Sequence, residues 1–315
     1  MNKKTLSYAT GLALATALIS GFSNFISKIA VTAVKDPVIF TTLKNTLVAL
    51  FLIAALVGYK KWQEISTLNK KQIYKLLAVG VIGGSIPFAL FFTGLTQTSA
   101  INASLIHKTL FIWVLLLAIP FLKEHVTKLQ LLGIGAIFAA NLVVGGFTGF
   151  KFNAGELMIL GATILWAVEN IIAKKVLDGV SSSVVAAARM GIGSIVLLVF
   201  LFARGSGPAV LGLNLNAAQW GWVLLTSVLL FGYVTTWYAA LKRAPATYVA
   251  TLLVPATFVT NVLSAVFITH AFGVTDLISG FLFAAGTFFV IYFAKRSSES
   301  FSKTLINTNI ITDLH

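Results

Sequence analysis

The sequence predicts an all-α integral membrane protein, and three observations support this fold class. Hydrophobic residues fill 58% of the 315 positions and charged residues only 10%, too few charges for a soluble domain of this length. The apolar residues form blocks of about 20, the length of helix that crosses a hydrocarbon core. The blocks do not alternate in polarity, as the shorter strands of a membrane barrel would. We therefore expect transmembrane helices joined by short connections.

Ten such blocks follow one another, and each predicts one transmembrane helix. They cover residues 7–31, 36–58, 73–94, 98–121, 128–148, 154–173, 182–203, 217–240, 246–269 and 273–294. The first block, with basic residues before an apolar core, also fits a cleaved signal peptide. Because its apolar character continues to Val34 and nine more blocks follow, we expect an uncleaved first helix.

The placement of basic residues predicts the orientation of these helices. The formal net charge is +14, and 16 of the 23 Lys and Arg residues fall in segments on the side of the N-terminus. Only Lys35, Lys151 and Arg204 fall in connections on the other side. Since cytoplasmic connections are enriched in Lys and Arg, we expect a multi-pass protein of the cell membrane with both termini in the cytoplasm. The positive charge is thus a topology signal and does not indicate a nucleic-acid partner.

Several classes of function lack their motifs in this chain. There is no cysteine, which excludes disulfides and thiolate metal sites. The four histidines lack metal-ligand spacing, and neither GxxxxGK nor GxGxxG occurs, so we expect no metal and no cofactor. An enzyme acting on lipid headgroups would usually display paired carboxylates or His-rich motifs near one interface. A membrane enzyme or lipid-handling protein is therefore only the alternative from another class.

The two halves of the chain resemble each other when residues 146 positions apart are compared. "NFISK" (24–28) lies over "NIIAK" (170–174), and Ala100 lies over Ala246. Five helices per half is an odd number, so the halves enter the membrane from opposite sides and form two inverted five-helix repeats, as in many secondary transporters. The expected units are the repeats 1–148 and 149–296 and a cytoplasmic polar tail at 297–315.

Several segments resemble the EamA-like branch of the drug/metabolite transporter superfamily. They are "SNFISKIA" in helix 1, "WAVENIIAKKV" in helix 6, "IPFLKEHVTKLQLLGIGAIFAANLVVGG" from helix 4 into helix 5, and "YVATLLVPATFVTNVLSAVF" in helix 9. The resemblance covers about residues 7–295. It implies ten helices in a five-plus-five arrangement and the export of amino acids or related compounds.

Two positions depart from the family pattern. The family usually has proline in both helix 4 and helix 9; Pro255 is present, but its repeat partner is Thr109, next to Lys108. The family's glutamate before helices 5 and 10 is Glu124 in the first half, whereas the same offset in the second half falls on His270. The first departure lies where substrate is expected, so the substrate of a typical member is not assumed here.

Lys108 is the first candidate site residue, because it lies near the middle of the apolar run from Gln97 to Pro120. A charge at that depth normally faces a cavity or a partner. His107 and Ser104 border the same helix face. We predict that Lys108 binds an anionic group such as a carboxylate or phosphate; the alternative is an internal ion pair with Glu169. His107 either relays protons or packs through a hydrogen bond.

Glu169 is the single acid well inside a predicted span. A carboxyl group removed from water favours its neutral form, so Glu169 is the candidate for coupling transport to protons. The alternative is a structural partner for Lys108 or Lys174. Trp166 and Asn170 on the same helix are predicted to line the cavity, as is Asn24, the repeat partner of Asn170.

Lys44 and Arg189 form another matched pair when the repeat alignment slips by one residue. Both lie toward helix ends, where anchoring to lipid headgroups and a role in the cavity fit equally well.

Helix 3 carries Gly84 and Pro87 near its middle. Proline removes a backbone donor and bends a helix, so we predict a gate there. Aromatic and hydroxyl side chains of the second half are predicted to form a wall of the cavity, unless they face lipid. These are Tyr233, Trp237, Tyr248 and Thr251.

These features together predict an alternating-access secondary transporter, an exporter of small metabolites. The central Lys108 favours substrates with an anionic group, amino acids among them. Antiport of sugar phosphates or nucleotide sugars is the alternative, and it would need further cations, for which Lys28, Lys44 and Arg189 are available. The expected partners are a small-molecule substrate, the lipid bilayer and, for coupling, protons. A passive facilitator fits the same features, and no feature predicts an oligomeric state.

Overall fold

The computed structural model describes residues 3–34, 36–95, 97–98, 100–143, 151–208 and 214–312. Within these ranges the chain is helical and contains no strand. We number the helices by predicted span and divide three of them into halves a and b. Their bounds are α1 Lys3–Val34, α2 Pro37–Gly58, α3a Lys70–Ala78, α3b Ile86–Leu95, α4a Ala100–Lys108, α4b Leu110–Leu122, α5 Lys128–Val143, α6 Ala154–Leu177, α7 Ser182–Ala203, α8 Ala217–Arg243, α9a Ala246–Leu253, α9b Ala256–Ser264 and α10 Val274–Thr312. Short helices occupy Lys61–Thr67 (3-10), Val79–Gly83 (π) and Ala265–Thr269 (π).

The prediction of an all-α membrane protein with about ten spans is confirmed. Among the described residues, nine segments are long and apolar enough to cross a membrane, and α5 is a shorter apolar helix. The predicted end of the fifth span at residue 148, and with it the boundary between the repeats, lies outside the described residues. α10 continues to Thr312, so a helix runs through most of the predicted polar tail.

Side chains in the connections set where several helices begin. Asp36 accepts hydrogen bonds from backbone N–H groups of the first turn of α2, where Pro37 stands at the start. Asn216 and Gln219 form a capping box at the start of α8. A capping side chain satisfies donors that the first helical turn leaves unpaired, so these polar connections define the ends of the spans.

The helices pack as two inverted repeats that exchange their first helices. α1 packs against α8, α9a and α9b, whereas α6 packs against α3b, α4a and α4b. α2 packs against α7, and α5 against α10, so each of these pairs joins repeat-equivalent helices. Thus α1 makes with the second half the contacts that α6 makes with the first half, as expected for halves related by a pseudo-two-fold axis.

Helices 4 and 9 are broken at repeat-equivalent positions. α4b begins at Leu110 and α9b at Ala256, 146 positions apart. Pro255 explains the break in α9, because proline has no backbone N–H to donate. Thr109 replaces it in α4, where the Thr109 hydroxyl donates to the Ile106 carbonyl at 2.6 Å. At both breaks backbone hydrogen bonds span three residues instead of four, so each helix tightens for one turn.

Helices 3 and 7 cross closely because glycines face each other. A Cβ atom on Gly84 would overlap the backbone of Arg189 and approach that of Gly193, and a Cβ on Gly193 would overlap Gly84. Only residues without a side chain permit backbones this near to each other. The crossing places Arg189 of α7 beside the π-helical turn of α3.

The two ends of the bundle differ in charge. We call the end at which α2, α4b, α6 and α8 terminate the basic end, because Lys60, Lys123 and Lys175 lie there. We call the other end the opposite end. There Arg204, which follows α7, forms an ion pair with Asp36 at 3.1 Å.

Candidate substrate site

The break in α4 carries Lys108. Lys108 is the last residue of α4a and is only 4% exposed. Its ammonium group forms no hydrogen bond or ion pair with any residue that the structure describes. A charged side chain in the middle of a bilayer costs at least about 2.5–3.5 kcal/mol, so an unpaired ammonium there calls for a ligand or a solvated cavity.

Glu169 of α6 is not paired with Lys108. It is 1% exposed and accepts a hydrogen bond from the Tyr238 hydroxyl at 2.5 Å. Its side chain borders Gly83, and a Cβ on Gly83 would lie 3.2 Å from Nε of Arg189. The charged neighbour of Glu169 is therefore Arg189, and the internal pair of Lys108 with Glu169 is absent from the described residues.

Arg189 and Lys44 are buried within the bundle, at 6% and 5% exposure. Nε of Arg189 has no hydrogen-bond partner. Its guanidinium carbon lies 5.9 Å from the ring centroids of both Phe88 and Tyr238. Nζ of Lys44 lies 5.3 Å from the ring of Phe92. Cation–π contacts compensate such burial in part, and side chains this enclosed are poorly placed to anchor to lipid headgroups.

A chain of hydrogen bonds fixes the aromatic residues of α6 and α8. Nε1 of Trp166 donates to the carbonyl of Gly83 at 3.0 Å. Asn170 donates to the carbonyl of Trp166 at 2.9 Å and accepts from Nε1 of Trp237 at 3.0 Å. Gly83 ends the π-helical turn of α3, and such turns are frequent at functional sites. The predicted wall residues Trp166, Asn170 and Trp237 are thus joined to the irregular part of α3.

His107 packs among aromatic rings. Its ring lies 4.9 Å from that of Trp166 and 5.3 Å from that of Phe91, and its Nδ1 is buried without a hydrogen-bond partner. His107 therefore sits beside Lys108 and next to the indole that contacts α3. The side chain of Ser104 lies outside the described part of the chain.

Other predicted site residues have different surroundings. Asn24 is exposed and does not belong to the buried polar cluster. The hydroxyl of Tyr248 shares a hydrogen bond of 2.8 Å with that of Thr10, and the hydroxyl of Thr251 donates to the Thr247 carbonyl. Tyr233, half-buried, stacks on Trp237 with ring centroids 6.0 Å apart.

The irregular part of helix 3 precedes Pro87. The π-helical turn ends at Gly83, Gly84 and Ser85 follow, and Pro87 is already the second residue of α3b. Proline has no backbone N–H to donate, so Pro87 coincides with this interruption of the span from Lys70 to Leu95. The interruption includes Gly84, one of the two predicted gate residues.

A carboxylate at each end of the bundle holds the first half of a broken helix. At the basic end, Glu124 accepts from the backbone N–H groups of Ala246 and Thr247 at 2.6 and 2.9 Å and from the Thr247 hydroxyl at 2.7 Å. At the opposite end, Glu156 accepts from the side-chain amide of Asn102 at 2.6 Å. Glu124 thus caps α9a, and Glu156 binds α4a.

Sequence reasoning missed this role of Glu124 and the contact of Tyr238 with Glu169. Glu124 was noted only through the resemblance, and nothing in the sequence distinguishes Tyr238 from other aromatic residues. The repeat offered one signal from which contacts of this kind could be predicted. The Asn102–Glu156 and Tyr248–Thr10 contacts join positions related by the offset of 146, so one predicts the other.

Within the described ranges, no three His, Asp or Glu side chains lie close enough together to hold a metal ion. A small cavity between α2, α7 and Trp220 is lined by apolar atoms. Without a charged lining residue, this cavity offers nothing that would recognise a polar metabolite. The charged cluster of Arg189 and Glu169, together with the buried Lys108 at the break of α4, is therefore the candidate site.

Comparison with known proteins gives the family. The sequence model of the EamA-like transporter family matches residues 8–146 and again residues 153–292. An uncharacterized transporter of Methanothermobacter thermautotrophicus is 21% identical over 252 residues, covering 75% of this chain and 69% of that protein. The uncharacterized transporter YyaM of Bacillus subtilis is 32% identical over 208 residues, covering 62% of this chain and 64% of that protein. An uncharacterized transporter of Archaeoglobus fulgidus is 26% identical over 209 residues, covering 64% of this chain and 71% of that protein.

The fold is shared with a solved structure titled "Crystal structure of protein". The TM-score is 0.72 at 16% sequence identity, and the match covers 90% of this chain and 97% of that chain. The match to YyaM spans less than two thirds of that relative's length. The family and these relatives are named as transporters and not as enzymes, so the protein is a multi-pass membrane transporter. By the match of the family model to both of its halves, the chain belongs to the EamA-like transporter family.

Proposed function

We propose that the protein is an alternating-access secondary transporter that exports small metabolites carrying an anionic group, amino acids among them. The observation that carries this proposal is the buried ammonium of Lys108, which has no partner among the described residues and lies at the break of α4. Discontinuous helices at the interface of inverted repeats form the substrate sites of many secondary transporters. A cation fixed at such a break is suited to bind a carboxylate or phosphate.

The proposed roles follow from the surroundings of Lys108. Lys108 binds the anionic group, and Trp166, Asn170 and Trp237 form the adjoining wall. Glu169 and His107 handle protons: His107 packs against Trp166, and Glu169 precedes Asn170 on α6. The two repeats, residues 1–148 and 149–296, move against each other, and the interruption at Gly84 gives helix 3 the freedom to bend.

Orientation and direction are part of the same proposal. The basic end carries most of the Lys and Arg residues, which supports a cytoplasmic location of both termini and of the tail at 297–315, in the cell membrane. Export then moves substrate from the basic end to the opposite end. The resemblance to exporters of the family supports this direction.

Antiport of sugar phosphates or nucleotide sugars is the second candidate, and one observation favours it. Lys44 and Arg189 are also buried and form no ion pair within 4.0 Å among the described residues. Among the described residues, these three buried cations outnumber the two buried acids, Glu156 and Glu169, and the excess of positive charge would suit a doubly charged phosphate. The side chain of Lys28, the other available cation, lies outside the described part of the chain.

The test is binding and transport by the purified protein. Thermal-shift measurements with amino acids, organic acids, sugar phosphates and cationic drugs identify the class of ligand, and uptake into right-side-out and inverted vesicles gives the direction. Lys108→Ala is compared with Lys175→Ala, since Lys175 is exposed at the basic end. We expect an anionic compound to stabilise the wild type and Lys175→Ala but not a folded Lys108→Ala protein. Stabilisation by cationic or neutral compounds alone, equal in all three proteins, would contradict the proposal.

A further inference from the structure

The guanidinium of Arg189 stands out among the buried charges of the bundle. The residue is 6% exposed, its Nε has no hydrogen-bond partner, and no described acid lies within 4.0 Å of it. An arginine side chain stays protonated in proteins, so Arg189 cannot relieve its burial by losing the charge. A buried charge of this kind is costly unless something pairs with it.

Glu169 is the nearby acid, but its carboxylate is held elsewhere. One of its oxygens accepts from the Tyr238 hydroxyl, and the side chain lies against Gly83. Because Gly83 has no side chain, α3 packs directly against Glu169 and Arg189; a Cβ there would overlap Glu169 and lie 3.2 Å from Nε of Arg189. The hydrogen bond from Trp166 to the Gly83 carbonyl fixes this part of α3. Nε of Arg189 is therefore a buried donor without a partner, next to Glu169 and to a fixed turn of α3.

We infer that Arg189 binds the carboxylate of the substrate directly, and that Glu169 is its resting counter-charge. This inference rests on the proposed transport of anionic metabolites and deepens it by naming the ligand. A guanidinium presents parallel N–H donors that match the two oxygens of a carboxylate. The rings of Phe88 and Tyr238, each 5.9 Å from the guanidinium carbon, limit the space around it.

The charge balance favours a carboxylate over a phosphate at this position. Arg189 offers one positive charge, and the negative charge of Glu169 lies across Gly83 from it. A singly charged carboxylate can share the guanidinium with Glu169, whereas a doubly charged phosphate would meet stronger repulsion. Lys108, buried at the break of α4, is a second cation without a partner among the described residues.

This arrangement predicts opposite effects for two substitutions. Arg189→Gln removes the ligand for the carboxylate, so carboxylate binding weakens. Glu169→Gln removes the competing negative charge, so carboxylate binding becomes tighter. If Glu169 instead bound a positive group of the substrate, Glu169→Gln would weaken binding. The sign of this second effect distinguishes a counter-charge from a substrate ligand.

The experiment is calorimetric titration of the detergent-purified full chain with sodium benzoate, with benzamide as the uncharged analogue and with sodium phosphate. We expect the wild type to bind benzoate in preference to benzamide and phosphate. Arg189→Gln and Arg189→Lys should weaken benzoate binding about tenfold or more, the second because the forked donor is lost. Glu169→Gln should tighten it about tenfold. Arg243→Gln is the control, since Arg243 lies at the basic end above the ring of Tyr8.

Two results would overturn the inference without touching the proposed function. One is wild-type benzoate affinity in both Arg189 variants while Lys108→Ala loses binding. The other is weaker benzoate binding by Glu169→Gln. If the wild type does not distinguish benzoate from benzamide, and transports only neutral or cationic compounds, both the inference and the proposed function fail. The Glu169→Gln and Arg189→Lys proteins keep the test decisive should Arg189→Gln not fold.

Discussion

The cap that Glu124 provides to α9a is expected to control access from the basic end. Its carboxylate receives three hydrogen bonds, at 2.6, 2.9 and 2.7 Å, from the first residues of that half-helix. Replacing a capping side chain by alanine costs about 0.5–2 kcal/mol. If Glu124→Ala destabilises the closed form of this end by about 1–2 kcal/mol, the equilibrium shifts toward the open form by about 5–30-fold, because each 1.4 kcal/mol is a factor of ten.

The natural absence of cysteine provides the assay. Ala250→Cys places one thiol in α9a at a position that is 2% exposed, and its rate of reaction with a polar maleimide reports opening. We expect Glu124→Ala to raise this rate about 5–30-fold, in line with the expected loss of the cap. Glu64→Ala is the matched control, because Glu64 accepts a 2.6 Å hydrogen bond at the same end from the N–H of Ser181, the cap residue of the continuous helix α7.

The reasoning is refuted if Glu124→Ala leaves the labelling rate within twofold of its parent. It is also refuted if Glu64→Ala accelerates labelling equally, since the effect would then be general loosening of the basic end. A specific effect of Glu124 would mean that the half-helix α9a moves as a unit when the transporter opens.

Two further predictions concern the charged cluster. Gly83→Ala should lower the free energy of unfolding by about 1–3 kcal/mol, because its Cβ would overlap Glu169. Gly135→Ala is the control and should be neutral or slightly stabilising, since a Cβ there would have no neighbouring atom within 4 Å. Unfolding of the two proteins in mixed detergent gives the comparison. A stable Gly83→Ala protein would mean that the space beside Glu169 is not fixed. Tyr238→Phe should lower the free energy of unfolding by about 1–3 kcal/mol in the same measurement, since it removes the hydroxyl that donates to buried Glu169. Tyr292→Phe, on an exposed side chain of α10, is the control, and equal stability of the two phenylalanine variants would argue against that hydrogen bond.

Some features of the site were predictable because they depend on position along one helix. Lys108 is conspicuous in the sequence, since a cation in an apolar run is unusual wherever its helix packs. The same holds for Glu169 as the acid inside a span. The break of α4 at Thr109 could be inferred only through the repeat, because threonine does not itself interrupt a helix and the proline stands in the partner, Pro255.

Other features depended on how the helices rotate against one another. The sequence offered Lys108 as an internal partner of Glu169 because of its depth, and it did not offer Arg189 in this role. The close crossing of α3 and α7 at Gly84 places Arg189 beside Glu169, because it fixes which face of α7 meets α3.

The sequence alone determined the membrane class, the presence of about ten spans and the two-fold organisation of this transporter. These follow from the length of each apolar block and from the odd number of helices per half, because a backbone in hydrocarbon must satisfy its hydrogen bonds within its own helix. Only the tertiary structure decided that Arg189 lies beside Glu169, that Glu124 caps α9a and that Asn24 lies outside the buried polar cluster. Contacts between helices depend on rotation and crossing distance, and small residues set these in ways that no single helix encodes.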